Sequence, residues 1–151
     1  MARHIYSCPL RWSDMDAFGH VNNAVFISYL EEARVDFMFR LAPGDGSPSF
    51  SGGSVVARHE IDYKRPLVHR HKPVIIESWV TKITAASLTI AYEIKDDDLV
   101  YVRASTVMVP YDLAAGRPRR ITAEEKSYLQ HYLDDGAAGA EAVGEEGALA
   151  A

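Results

Sequence analysis

The chain has 151 residues and a formal net charge of −5, from 16 Lys and Arg against 21 Asp and Glu. That length suits a single domain. The last 18 residues contain five acids and no base, so residues 1–133 carry 16 charges of each sign. A neutral body lacks the basic face with which nucleic-acid binders neutralise phosphates, so we expect no nucleic-acid partner.

Targeting signals and cysteine chemistry are absent from the sequence pattern. No apolar run approaches the roughly 18 residues that span a bilayer, and the first residues lack the pattern of a signal peptide. The lone Cys8 excludes an intramolecular disulfide and a cysteine-rich zinc site. His59, His69 and His71 have no carboxylate at a spacing that completes a metal site. We therefore expect a cytoplasmic protein with no membrane partner and no metal.

In chain order, the predicted elements begin with a short strand and a long helix. Strand-forming residues run from His4 to Trp12, where Pro9 suits an edge strand or a strand end. A polar loop follows, and a helix is predicted from Asn22 to Leu41, with Pro43, Gly44, Gly46 and Pro48 ending it. Apolar residues recur along it at spacings of three and four, at Phe26, Leu30, Ala33, Phe37 and Leu41.

The second half of the body has the two-residue period of strands. Four strands are predicted, over 53–64, 74–81, 88–94 and 100–109. The separators TAAS and KDDD are short, so the strands that they join should form antiparallel hairpins. A last short helix begins at Thr122, which forms a capping box with Glu125.

These elements predict an α+β fold. About five antiparallel strands wrap around one long central helix, and a short C-terminal helix follows. The domain covers 1–133, and 134–151 form an acidic tail rich in Ala and Gly that we predict to be disordered. The remaining sheet face and edges need cover, which favours a dimer.

The loop before the long helix concentrates groups that could carry chemistry. Asp14, Asp16, His20, Asn22 and Asn23 fall within ten residues, and Gly19 permits an unusual turn. A helix N-terminus presents free N–H groups that suit a developing oxyanion, and a carboxylate nearby can act as base or nucleophile. The alternatives are structural: an Asp that caps a turn, an Asn that caps the helix, or a structural His.

The stretch RWSDMDAFGHVNNAVFISYLEEAR, residues 11–34, resembles the signature of hotdog-fold acyl-CoA thioesterases of the 4-hydroxybenzoyl-CoA thioesterase-like group. Two further segments resemble later strands of that group, VVARHEIDYKRPL and VRASTVMVPYDLAAGRPRRI. The resemblance covers about residues 5–133. It implies a hotdog fold and hydrolysis of an acyl-CoA thioester to a carboxylic acid and CoA, with CoA as part of the substrate and no other cofactor.

The resemblance also implies roles for particular residues. Asp16 matches the catalytic carboxylate, acting either as a nucleophile through a mixed anhydride or as a general base on water. The backbone N–H groups of Asn23 and Asn22 would polarise the thioester carbonyl. His20 and Asn22 would orient the reacting groups, with Gly19 in the substrate-binding turn.

Other residues keep two interpretations. Glu31 and Glu32 are alternative catalytic groups, because some relatives place the carboxylate in the central helix, although Glu31 with Arg34 is more simply an ion pair. Phe26 and Tyr29 either line an acyl channel or pack in the core. The basic stretch KRPLVHRHK, residues 64–72, contributes Lys64, Arg65 and Arg70, either to the CoA phosphates or to a solvated turn.

Competing functions and assemblies also follow from the pattern. Hydratases on this fold have an Asp and a His five residues apart with Asn-Pro between them, whereas Asp16 and His20 are four apart without that pair. A non-catalytic acyl-CoA binder is the other alternative. Acyl carrier protein is the alternative carrier to CoA. The expected assembly is a homodimer or a dimer of dimers, with sites at the subunit interface.

Overall fold

The computed structural model describes residues 2–40 and 53–134, which form a curled antiparallel sheet and two helices. The strands are β1 (His4–Cys8), β2 (Ser54–Tyr63), β3 (Val74–Ile83), β4 (Leu88–Asp96), β5 (Leu99–Asp112) and the short β6 (Arg117–Pro118). The helices are α1 (Asn23–Val35) and α2 (Ala123–Gln130), with a 3-10 turn at Trp12–Asp14 and a π-helical turn at Asp36–Arg40. The predicted tail beyond Asp134 and the predicted helix end after Arg40 lie outside the described residues.

The sheet confirms the predicted hairpins and adds a crossover. Its order is β1-β3-β4-β5-β2, and every neighbouring pair is antiparallel. The hairpins β3–β4 and β4–β5 follow the short separators, as predicted. Although β2 precedes β3 in the chain, β1 already occupies the outer side of β3. The connection 64–73 therefore crosses over, and β2 pairs with β5 at the opposite edge.

α1 lies against the inner face of this sheet. Leu30, Ala33 and Phe37 are fully buried, and they lie over the inward-facing residues of β3 and β4 such as Ile76 and Ile90. Full burial of one large apolar side chain contributes about 1.5–3 kcal/mol, so this stripe supplies much of the force that fixes the helix. The predicted five-strand sheet around one central helix is confirmed.

The long helix differs from the prediction at its C-terminal end. Regular α-helix stops at Val35, and the chain widens into the π-helical turn. There the Asp36 carboxylate lies 2.7 Å from the ring of the buried His4, and the consecutive residues Phe37 and Met38 are both buried. The Phe37 ring contacts both His4 and Tyr128, so contacts with β1 and α2 accompany the wider turn.

β1 is shorter than predicted, and α2 begins where predicted. β1 ends at Cys8 because Pro9 has no N–H to donate to the ladder. Thr122 caps α2, and its capping box with Glu125 is confirmed, with backbone-to-side-chain bonds of 2.8 and 3.1 Å. Tyr128 of α2 packs on Phe37, so α2 covers the end of the core beyond α1.

Candidate active site

The loop between β1 and α1 is a small hairpin with two rungs. Asp16 N–H donates to the His20 carbonyl at 3.0 Å, and Asn22 N–H donates to the Asp14 carbonyl at 2.9 Å. The tip turns because Gly19 N–H bonds back to the Asp16 carbonyl at 3.0 Å, with Gly19 at φ +78°. A left-handed residue closing a three-residue loop favours glycine, so the sequence Asp-Ala-Phe-Gly-His specifies this tip.

The Asp16 carboxylate is half-buried at that tip, and both oxygens are held. Oδ1 accepts from the Phe18 N–H at 2.9 Å, and Oδ2 accepts from Asn22 Nδ2 at 3.0 Å. The bond from the Phe18 N–H is the one that an Asp makes when it caps a turn, so this structural interpretation of Asp16 also holds. Each carboxylate oxygen can accept more than one hydrogen bond, so Asp16 keeps capacity for a water or substrate.

Asn22 joins the loop to the helix. Its Oδ1 accepts from the Ala24 N–H at 2.9 Å, which makes it the N-cap of α1, as predicted. Because this oxygen must be the acceptor, the amide nitrogen is left to face Asp16. One side chain therefore fixes both the helix start and the position of the Asp16 carboxylate.

Asn23 is the first residue of α1 and presents the free donor that an oxyanion site requires. No described residue accepts a hydrogen bond from its backbone N–H. This N–H lies at the positive end of the helix dipole, one residue after the side chain that holds Asp16. By contrast, the Asn22 N–H donates to the Asp14 carbonyl within the hairpin, so of the two predicted carbonyl donors Asn23 is the stronger candidate.

Asp14, two residues before Asp16, has a different environment. Its side chain is 2% exposed and accepts from Tyr29 Oη at 2.6 Å, from Arg11 N–H at 3.0 Å and from Arg11 Nε at 3.1 Å. Burial alone would raise the pKa of Asp14, but the hydrogen bonds from Tyr29 and Arg11 outweigh it and hold that pKa below its ordinary value. Asp14 is therefore a buried, fully paired anion, as the structural interpretation expects.

His20 contributes its backbone to the hairpin, and its imidazole is half-buried beside the tip. Among the described residues no hydrogen-bond partner faces that ring. The predicted orienting role of His20 therefore rests on the substrate or water, and turnover of a His20 variant tests it.

The sequence profile described as the thioesterase-like superfamily matches residues 10–130, which include the whole loop and both helices. The chain belongs to the thioesterase-like superfamily. A Bacillus subtilis relative, the uncharacterised protein YsmA, is 30% identical over 124 residues, which are 81% of this chain and 82% of that protein.

Solved structures of the thioesterase-like kind share this architecture, the hotdog fold. A Thermus thermophilus thioesterase complexed with coenzyme A and zinc is 28% identical, with a TM-score of 0.72 over 85% of this chain and 92% of that one. A candidate acyl-CoA thioesterase of Xanthomonas campestris is 36% identical, with a TM-score of 0.63 over 74% of this chain and 96% of that one. The resemblance stated from residues 11–34 is confirmed.

Phe26 and Tyr29, which were predicted either to line an acyl channel or to pack in the core, lie in the core. Phe26 and Tyr29 are buried, and their rings meet edge to face at 5.9 Å. Phe26 also contacts Tyr63 of β2 at 5.7 Å, and Tyr63 Oη donates to the Asn23 carbonyl at 2.9 Å. The sequence pattern carries no signal for this contact of Tyr63, because only the position of β2 in the sheet brings it to the start of α1.

The basic stretch is partly neutralised. Arg70 donates to Asp96 at 2.5 Å, and Lys72 donates to the same carboxylate at 3.1 Å, so these two charges are matched at the β4–β5 turn. Arg65 is exposed and Lys64 is half-buried, at the end of β2. Arg70 was predicted with them as a phosphate ligand, and its pairing with Asp96 makes the exposed Arg65 a stronger candidate than Arg70.

The helix glutamates lie farther along α1. Glu31 is 70% exposed and 3.9 Å from Arg34, which matches the predicted ion pair, and Glu32 is also exposed. Arg34 itself is buried and reaches Tyr92 Oη at 3.4 Å. Two turns or more of helix separate these glutamates from the free N–H of Asn23.

Within residues 2–40 and 53–134, no three His, Cys, Asp or Glu side chains come together as a metal site. Neither helix in the part of the chain that the structure describes is long and apolar enough to cross a membrane.

Proposed function

We propose that this protein hydrolyses acyl-CoA thioesters to a carboxylic acid and CoA. The observation that carries the proposal is the pairing of Asp16 with the start of α1. Asn22 holds the Asp16 carboxylate at 3.0 Å, and the next residue, Asn23, offers a backbone N–H that pairs with no acceptor among the described residues. A base or nucleophile beside an oxyanion donor is the minimum equipment for acyl transfer to water.

The substrate carbonyl oxygen would accept a hydrogen bond from the Asn23 N–H. As a nucleophile attacks the carbonyl carbon, the oxygen becomes an oxyanion at the positive end of the helix dipole, where it is stabilised more than the ground-state carbonyl. Mutations that remove one such donor typically lower kcat about 10²- to 10³-fold.

Two roles remain open for Asp16. As general base, it removes a proton from water while the water oxygen bonds to the carbonyl carbon, and collapse of the intermediate breaks the carbon–sulfur bond. As nucleophile, it forms a mixed anhydride and expels the thiolate, and water then cleaves the anhydride and releases the acid. Both routes consume one water and yield one acid and one thiol. In both, Asn22 orients the carboxylate, and His20, whose carbonyl pairs with the Asp16 N–H, would orient substrate or water.

The nature of the leaving group explains why the proposed site needs no strong general acid. A thiol has an ordinary pKa near 8.5, so a thiolate leaves near neutral pH without a strong general acid. Two observations support coenzyme A as the thiol. The Thermus thermophilus thioesterase, a structural neighbour, is complexed with coenzyme A, and the cations Lys64 and Arg65 lie at the end of β2. Acyl carrier protein is the alternative carrier, because its phosphopantetheine thioester presents the same reacting atoms.

Thiol release from a panel of acyl-CoAs tests the proposal. The panel includes aromatic, short, branched and long-chain thioesters, and it is run on wild type, Asp16→Ala and Asp98→Ala. Asp98 is an exposed carboxylate at the β4–β5 turn, so its variant is the matched control. We expect release with wild type and Asp98→Ala, and loss with Asp16→Ala while the fold is retained.

Two results would contradict the proposal. Binding of acyl-CoA with no thiol release by wild type would favour the non-catalytic binder. Release by Asp16→Ala at the wild-type rate would remove Asp16 from the mechanism.

A further inference from the structure

The buried Asp14 carboxylate ties the loop to the side of α1. Tyr29 lies in the second turn of α1, and its hydroxyl donates to Asp14 at 2.6 Å. Arg11 donates to the same carboxylate through both its backbone N–H and its guanidinium. A carboxylate that is 2% exposed needs such partners, because burying it unpaired costs several kcal/mol.

The same residue also forms a rung of the hairpin. The Asp14 carbonyl accepts from the Asn22 N–H at 2.9 Å, and Asn22 in turn holds the Asp16 carboxylate and caps α1. A continuous series of contacts therefore runs from the Tyr29 hydroxyl through Asp14 and Asn22 to Asp16. Asn22 fixes the loop at the helix start, and Tyr29 fixes it two turns farther on, so the loop is held at two points and its tilt is set.

We infer that Tyr29 and Asp14 are positioning residues, which hold the Asp16 carboxylate at its working distance from the Asn23 N–H. The inference rests on the proposed function. It assigns Tyr29 a role different from the predicted acyl contact, because the hydroxyl is engaged with Asp14. Displacement of a reacting group by about 1 Å can lower a rate about 100-fold, so loss of this tether should lower kcat 10- to 100-fold.

The test compares Tyr29→Phe with Tyr128→Phe. Each change removes one hydroxyl from a buried ring, and the Tyr128 hydroxyl donates to the Phe37 carbonyl at 2.5 Å, at the opposite end of α1. Both variants should lose some thermal stability. We expect kcat to fall only in Tyr29→Phe, with KM little changed because the ring of residue 29 is kept. Equal losses of kcat in the two variants, or an unchanged kcat in Tyr29→Phe, would overturn the inference.

A second readout needs no substrate. Hydrogen exchange of the Phe18 and Asn22 N–H groups reports whether the two parts of the hairpin stay formed, since these donors bond to Asp16 and Asp14. We expect faster exchange of both in Tyr29→Phe and wild-type exchange in Tyr128→Phe. If wild type releases no thiol, the proposed function fails, and exchange still decides whether Tyr29 holds the loop. Unchanged exchange in Tyr29→Phe contradicts the tether in either case.

Discussion

Two acids separated by one residue illustrate how much the surroundings of a side chain decide. Asp14 is buried, and all its described partners are donors that keep it ionised. Asp16 is half-buried, and its carboxylate stands at the hairpin tip, held by the side chain of Asn22, the residue before Asn23. Residue type alone could not separate them. The resemblance favoured Asp16, and the contacts now give a physical reason for that choice.

Cys8 is a residue whose reactivity follows from burial. It is 3% exposed, and burial, with smaller contributions from Asp14 and Glu32, raises the pKa of its thiol to about 12. The thiolate is the reactive form, so native protein at pH 8 should not react with a disulfide reagent during a thiol-release assay. We expect one reactive thiol per chain only after unfolding in guanidinium. Rapid labelling of the native protein would show that Cys8 is accessible.

At the scale of elements, features that depend on neighbouring residues, such as helix caps, were predicted better than contacts between elements. The N-cap Asn22 and the capping box at Thr122 follow from residue types at fixed spacing, and both are confirmed. The π-helical turn at Asp36–Arg40 carries no such signal, because it accompanies contacts of Phe37 with His4 and Tyr128, which are distant in sequence. Likewise, nothing near Arg70 in sequence indicates Asp96, which the sheet brings to it.

β2 contributes a histidine that should give stability a pH dependence. His59 bonds to Thr106 Oγ1 at 2.9 Å, and burial, together with the charge of Arg34, lowers the pKa of His59 below its ordinary 6.5. Below about pH 6.5 the unfolded chain therefore binds more protons at this site than the folded chain. Because of this, the free energy of unfolding should fall as pH decreases from 6.5 towards the lowered pKa of His59.

The variant His59→Gln tests this by denaturant unfolding at pH 8 and pH 5.5. Wild type and variant should differ most in stability at pH 8, where the folded protein benefits from a neutral His59, and less at pH 5.5. A difference that is the same at both values would show that His59 does not titrate differently in the two states.

At the scale of the molecule, the sheet leaves β2 as an edge. It pairs with β5 on one side, and its Val55 and Val56 are 40% and 41% exposed. The alternation of apolar and polar residues along β3, β4 and β5 predicted which faces of the sheet would pack. It does not indicate which strands lie at the edges of the sheet. That outcome depends on the crossover of 64–73, which the sequence does not specify.

An exposed apolar edge favours pairing with a second copy, so we expect the homodimer or dimer of dimers predicted from sequence. Light scattering should give a mass of about 33 or about 67 kDa, two or four times the chain mass of 16.7 kDa. Val56→Lys places a charge at this exposed position and should shift the protein towards monomer without unfolding it. A monomeric wild type, or a Val56→Lys variant that dimerises as wild type does, would contradict pairing through this edge.

In the proposed mechanism Asp16, and not a glutamate of α1, is the reacting carboxylate. The most direct measurement is kcat for Asp16→Asn, Glu31→Gln and Glu32→Gln, each with its best thioester at saturation. These changes keep side-chain shape and remove charge. We predict a loss of at least about 100-fold in Asp16→Asn and less than about threefold in the two glutamine variants. Retained turnover in Asp16→Asn, with loss in Glu31→Gln or Glu32→Gln, would show that a glutamate of α1 is the reacting carboxylate and would contradict the proposed mechanism.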